Sequence, residues 1–228
     1  MDTAETHRKI CLERQTGLRS VMTDPARFDE AIRAFLNQHA LLHSKILAPA
    51  EPWSFEDEVL GNIPEEQVRR IPTGGDHSMA WLVWHMARCE DITMNLLVAG
   101  TPQVLMQAGW LQKTRSPLLD TGNAMDAAAL ADFNRAIDVE ALRGYRAAVG
   151  HRTREIVALL QPADLKRKVE ASRLKRIFDE GAVVEAARGI ADYWGNRDVA
   201  GLLLMPATRH NLIHLGEALK LKRKLRTI

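Results

Sequence analysis

The segment RHNLIHLGEAL, Arg209 to Leu219, sets two histidines four residues apart, with a glutamate three residues further on. At 100° per residue His210 and His214 stand about 40° apart, one turn along a single helix face. Such a pair can aim two imidazole nitrogens at one cation about 2.0–2.1 Å away. A third histidine, His85, sits in WLVWHMARCED. With His85 as zero, Ser78, Trp81, Leu82, Cys89, Ile92, Leu96 and Ala99 fall within roughly 60° of it and form a core-facing stripe, whereas Glu90 and Asp91 fall well away. From a facing helix His85 would complete a three-nitrogen set with positions left open for water and substrate, which separates a catalytic metal from a closed structural one. A divalent ion there would lower the pKa of a water or an incoming thiol toward neutrality.

Other residues can join this chemistry. Glu217 shares the His210–His214 face, and can orient a ligand imidazole, bind the ion, or pair with Lys220 or Lys224 on the surface. His39 and His43, in FDEAIRAFLNQHALLHSKI, lie on the same side of their helix as Phe28, Ile32, Phe35, Leu36 and Ile46. They are open to several readings: a further ligand, a general base, a substrate contact or an interhelical hydrogen bond. Cys89, one turn after His85, is either a thiolate ligand or a small core residue. Trp81 is either packing or a wall of the substrate pocket. His151 instead shares its side with Glu140 and Glu155 and faces solvent. Five of the eight histidines therefore point inward, from three helices. Burying each costs a few kcal/mol, roughly, unless its ring nitrogens find partners, and a metal satisfies several at once.

Several elements must position these groups. Residues 1–22 read as a short leading helix. TDPARFDEA supplies a start, with Asp24 as cap and Pro25 in the first turn, for a helix running to about Leu47. PEEQ begins a short helix at Pro64, and a long one runs from about Ser78 to Ala99, stopped by Gly100-Thr101-Pro102. Residues 101–125 read as an irregular excursion, followed by a short helix from Asp126 to Ile137 and a long one from about Val139 to Leu160. One or two shorter helices, broken at Gly181 and Gly195, precede a last long helix from Asp198 to Leu225. Four long helices with helical decorations make an all-α bundle, and no composition shift divides the 228 residues into more than one domain.

Composition agrees. The chain is 46% hydrophobic and 26% charged with a net charge of +2, too balanced to argue for a polyanionic partner. KLKRKLR, Lys220 to Arg226, complements a helix C-terminus more simply than it argues for nucleic acid or membrane. No charge-free stretch is uninterrupted enough to span a bilayer, MDTAETHRKI lacks the apolar core of a signal peptide, and the two cysteines make no metal or redox motif. A cytoplasmic protein without membrane or nucleic-acid partner is the expectation. HExxH, ExxH, GxxxxGK[ST] and GxSxG are missing, which excludes zincin proteases, ferritin-like di-iron bundles, phosphate-loop enzymes and α/β-hydrolases.

WLVWHMARCED on one long helix, followed by HNLIH and LGEAL on the last, resembles the DinB-like superfamily. The resemblance spans about residues 25–100 and 139–225. It implies an up-down-down-up four-helix bundle that binds a divalent metal through His85, His210 and His214. Many relatives carry Gln at the position of Glu217, and the HALLH pair is not part of the general motif. Family activities include S-transfer from low-molecular-weight thiols (bacillithiol, mycothiol, glutathione) and mycothiol-dependent maleylpyruvate isomerisation. The implied function is a metal-dependent enzyme acting on a small-molecule electrophile through a thiol or water, with His43 or Glu217 handling protons and His39, Trp81 and Cys89 near the substrate. The alternatives are a non-catalytic metal-binding bundle and a metal-free one. Three imidazoles accept Zn, Ni, Fe or Mn. Relatives are often dimers, and a last helix apolar on two flanks is compatible with a homodimer.

Overall fold

The computed structural model describes residues 3–226, and among them no β-strand forms beyond an isolated bridge between Lys168 and Asp198. The helices are α1 (Thr3–Met22), α2 (Phe28–Leu41), α3 (Phe55–Leu60), α4 (Glu65–Arg69) and α5 (Met79–Asp91), the last continuing as a π-helical stretch over Ile92–Ala99. Then follow α6 (Trp110–Thr114), α7 (Ala127–Ala136), α8 (Val139–Ala158), α9 (Ala171–Asp179), α10 (Arg188–Gly195) and α11 (Val199–Leu204). A second π stretch, Met205–Arg209, leads into α12 (His210–Arg226). The protein is an all-α helical bundle in which α5 packs on α8 and α12, and α2 on α8.

Side-chain caps set the starts. Ser78 Oγ accepts from the Trp81 amide at 3.0 Å, and Asp126, Asp138 and Asp198 each accept from the amide three residues on. Gly100, at φ 73°, ends the π stretch in the left-handed conformation that glycine adopts without strain. α3, capped by Ser54, and α6, inside the 101–125 excursion, are elements the periodicity did not reveal.

Three expectations change. Residues 3–22 are a full helix rather than a short leader: α1 buries Cys11, Leu18, Val21 and Met22 and packs along α2 and against α12. α2 stops at Leu41, not near Leu47, because side chains from elsewhere take the carbonyls that another turn would use. Arg146 donates to Leu42 O at 2.9 Å and Ser54 to His43 O at 2.6 Å. Glu90 and Asp91 are fully buried, as is every residue of α5. α5 is the central helix, so no face of it meets water and the idea of one inward stripe fails.

α5 also anchors the excursion. Asp91 accepts from the Val104 and Leu105 amides at 2.8 and 3.0 Å, and Arg88 donates to Leu119 O at 3.0 Å. The flanks of α12 are covered by α1, α3 and α5, with Leu212, Leu215 and Leu219 buried. Its doubly apolar character is therefore met within the chain and asks for no second copy.

The last long helix is interrupted. Pro206 has no N–H to donate, and the ladder widens into the π stretch around it. Two carbonyls just before it have side-chain partners. Thr208 Oγ1 donates in the region of Leu203 O (2.9 Å) and Leu204 O (3.0 Å), and Gln15 of α1 reaches Leu204 O at 3.2 Å. The interruption ends at Arg209, immediately before His210.

Candidate metal centre

His85, His210 and His214 converge. His210 Nε2 lies 3.1 Å from His85 Nε2 and 3.0 Å from His214 Nε2. Two nitrogens held by one ion at about 2.0–2.1 Å, between right-angle and tetrahedral geometry, stand about 3.0–3.4 Å apart.

The far side of two rings fixes their tautomers. His85 Nδ1 faces the Thr121 carbonyl at 2.8 Å and must donate to it. His214 Nδ1 likewise donates to Glu217 Oε2 at 2.6 Å. With those protons on Nδ1, the lone pair that either ring can offer is the one on Nε2, which faces His210 Nε2. His210 can donate from Nε2 to only one of them, and its own Nδ1 is buried without a partner. His210 Nε2 cannot serve both rings at once, and the remaining donor beside His85 Nε2 is the weak Cys89 thiol at 3.8 Å, whereas a cation among these nitrogens would use their lone pairs. Burial pushes the His85 pKa down to about 4, helped by His214, and burial likewise holds His210 well below its ordinary value. Both rings are therefore neutral, as metal ligation requires. The residues present fit a divalent ion.

Trp81 stacks on His85 at 4.6 Å between ring centroids and on His77 at 3.8 Å, so the indole is the middle of a three-ring pile. Its Nε1 donates to Gly122 O at 3.1 Å, and Gly122 sits at φ 76° where an added Cβ would come within 2.8 Å of that nitrogen. His77 is exposed, His214 partly buried and Glu217 about half exposed, so the centre opens on this side. A cleft of about 990 Å³ between α1, α10 and α12 holds Arg8, Arg19, Arg197, Arg209 and Ile213 and touches the centre only at Glu217.

Cys89 comes within 3.8 Å of His85 Nε2 and 3.9 Å of Nδ1, and ligand atoms of His85, Cys89 and His210 all lie within 4.8 Å of one another. We favour His214 over Cys89 as the third ligand. The sulfur sits equally near both ring nitrogens, over the ring rather than along a lone pair, and burial raises its pKa so that the thiol stays protonated.

His39 and His43 do not reach this centre. Both are buried, and their ring nitrogens meet Glu90: His39 Nε2 is 2.8 Å from Oε1 and His43 Nε2 is 3.1 Å from Oε2. Thr153 of α8 and Asn211 of α12 each donate to the same carboxylate at 2.8 Å. His43 therefore lies off the open side where a general base would stand. Sequence reasoning passed over Glu90, Asn211, Thr153 and His77. For His77 a signal existed, since i, i+4 spacing to Trp81 and i, i+8 to His85 puts it, just before the Ser78 cap, in line with the side of α5 that carries both.

No curated protein matches the chain. The family model of the DinB superfamily matches residues 56–218, well over half of the sequence. On that match, which contains His85, His210 and His214, the chain belongs to the DinB superfamily.

Proposed function

We propose that the chain is a metal-dependent enzyme in which His85, His210 and His214 hold one divalent ion beside an opening for a small electrophile. The observation that carries this reading is that His85 and His214 each turn Nδ1 to an acceptor, which leaves Nε2 of His214 3.0 Å and Nε2 of His85 3.1 Å from Nε2 of His210, while His210 Nδ1 is buried without a partner. An ion held there supplies Lewis acidity, bringing a thiol or water that reaches it toward its anion near neutral pH.

The chain's own groups do the rest. The Thr121 carbonyl and the Trp81 face keep the His85 ring in plane, and Glu217 does so for His214. His77 and Glu217, at the open side, are the groups that can exchange protons with solvent, and Glu217 is held below the usual carboxylate range by its hydrogen bond from His214. A low-molecular-weight thiol is the co-substrate that family membership favours. A buried, protonated Cys89 leaves the chain without a nucleophile of its own at this place.

Two measurements on untagged protein test the proposal. His85→Ala should carry about one ion fewer per chain than wild type, and it should lose turnover in a panel of small thiols and hydrolysable or alkylating electrophiles. Equal metal content in the two proteins would remove the metal assignment. Metal loss with equal rates, or metal binding with no turnover on any pairing, would leave a non-catalytic metal-binding bundle.

A further inference from the structure

Behind the triad lies a second set of ligand-type groups that it does not use. Ligand atoms of His39, His43 and Glu90 fall within 4.8 Å of one another, and all three residues are buried. The hydrogen positions on His43 matter most. Its Nδ1 lies 3.0 Å from the His39 carbonyl, an acceptor, so the proton of the neutral ring belongs on Nδ1. That leaves a lone pair on Nε2, which has no hydrogen-bond partner yet stands 3.1 Å from a carboxylate oxygen. Two electron-rich atoms face each other in the core with nothing positive between them.

The charges around them do not supply the missing cation. The nearest buried guanidinium, Arg146, is turned to Glu56 at 2.6 Å and to Leu42 O at 2.9 Å. Its remaining contact in this direction is to Asn211 Oδ1, at 3.4 Å. Glu90 and two imidazoles thus meet in the core with the neighbouring guanidinium engaged elsewhere, and buried ligand-type groups of this kind are costly unless each finds a partner.

We propose that His39, His43 and Glu90 form a second, wholly buried divalent-cation site that ties α2 to α5, distinct from the triad and independent of the reading given for it. Two imidazole nitrogens and a carboxylate are a donor set suited to Zn²⁺ and to Mn²⁺ or Fe²⁺. Thr153 and Asn211 orient the carboxylate from α8 and α12, so one ion would draw on α2, α5, α8 and α12. All three side chains are buried, which makes the site a structural one, filled as the chain folds.

The test is metal content of untagged protein folded with Zn²⁺. Wild type should carry about two ions per chain, and both His43→Gln and the double variant His210→Ala/His214→Ala about one each. Anomalous scattering at the zinc edge should give a peak at Glu90 in crystals of the double variant. If that variant carries no ion and no peak, the site does not exist, and this holds even if His43→Gln fails to fold. A double variant with as much zinc as wild type, and the peak at Glu90, would instead keep the inner site and overturn the triad.

Discussion

At the scale of single residues the hydrogens, more than the distances, define the centre. Glu217 is assigned to orienting His214, half in water, rather than to binding an ion. Glu217→Gln should therefore preserve the fold and weaken Zn²⁺ binding about 10–100-fold, the usual cost of losing a carboxylate behind a ligand histidine. Competition against a chromophoric chelator measures it, and an unchanged Kd would return Glu217 to the role of a surface charge. Gly150 is as informative for the inner cluster. Alanine favours a helix over glycine by about 1 kcal/mol, but here its Cβ would come within 2.8 Å of His43 Cδ2 and 3.1 Å of Leu47 Cδ2. The steric term wins, and Gly150→Ala should cost about 1–3 kcal/mol in urea unfolding. A stabilised variant would mean that the His43 ring can move aside.

At the scale of elements, the π stretch before α12 decides where His210 points. Thr208 and Gln15 hold the carbonyls of Leu203 and Leu204 just before Pro206. Thr208→Val should cost about 1–3 kcal/mol by removing the hydroxyl that donates to Leu203 O and accepts from Gln15, and should weaken Zn²⁺ binding as well, read by the same competition. Loss of stability with untouched affinity would separate the interruption from the centre. These elements also show what the sequence could and could not disclose. His210 and His214 were legible because a pair four apart keeps its face whatever happens upstream. His85 was legible because it lies amid Trp81, Leu82 and Cys89. Glu90 was not, because periodicity assumes that a helix has a wet side, and α5 has none. Thr121 was not either, since it acts through its backbone carbonyl, and it is Trp81, Trp84 and Arg88 that bind the Leu119–Gly122 carbonyls and bring that loop to His85. Nothing in the Pro206 segment announced that the helix would widen rather than stop.

For the whole molecule, the buried rings make stability depend on pH once metal is stripped. His43 and His85 titrate at about 4 in the folded chain, against about 6.5 when exposed. The unfolded chain then binds protons that the folded one refuses, so stability is fully present above about pH 6.5 and falls away as pH drops toward 4. Glu90, depressed as well, adds a loss below the ordinary carboxylate range. The urea midpoint of chelator-treated protein should fall between pH 7 and 5, and a flat profile would mean that these rings are protonated in the native state. Membership of the DinB superfamily rests on residues 56–218, yet α1, α2 and the turn after α2, which lie before them, supply core side chains and both inner histidines. Among the described residues no helix is long and apolar enough to cross a membrane. The two free thiols carry one more use. Cys11 in α1 and Cys89 beside the triad are each about fully covered, and burial pushes the Cys11 thiol up to about 12. Neither can react with a labelling reagent until its own region opens. The chain thus has two built-in clocks, one timing the detachment of the first helix and the other the breathing of the central one.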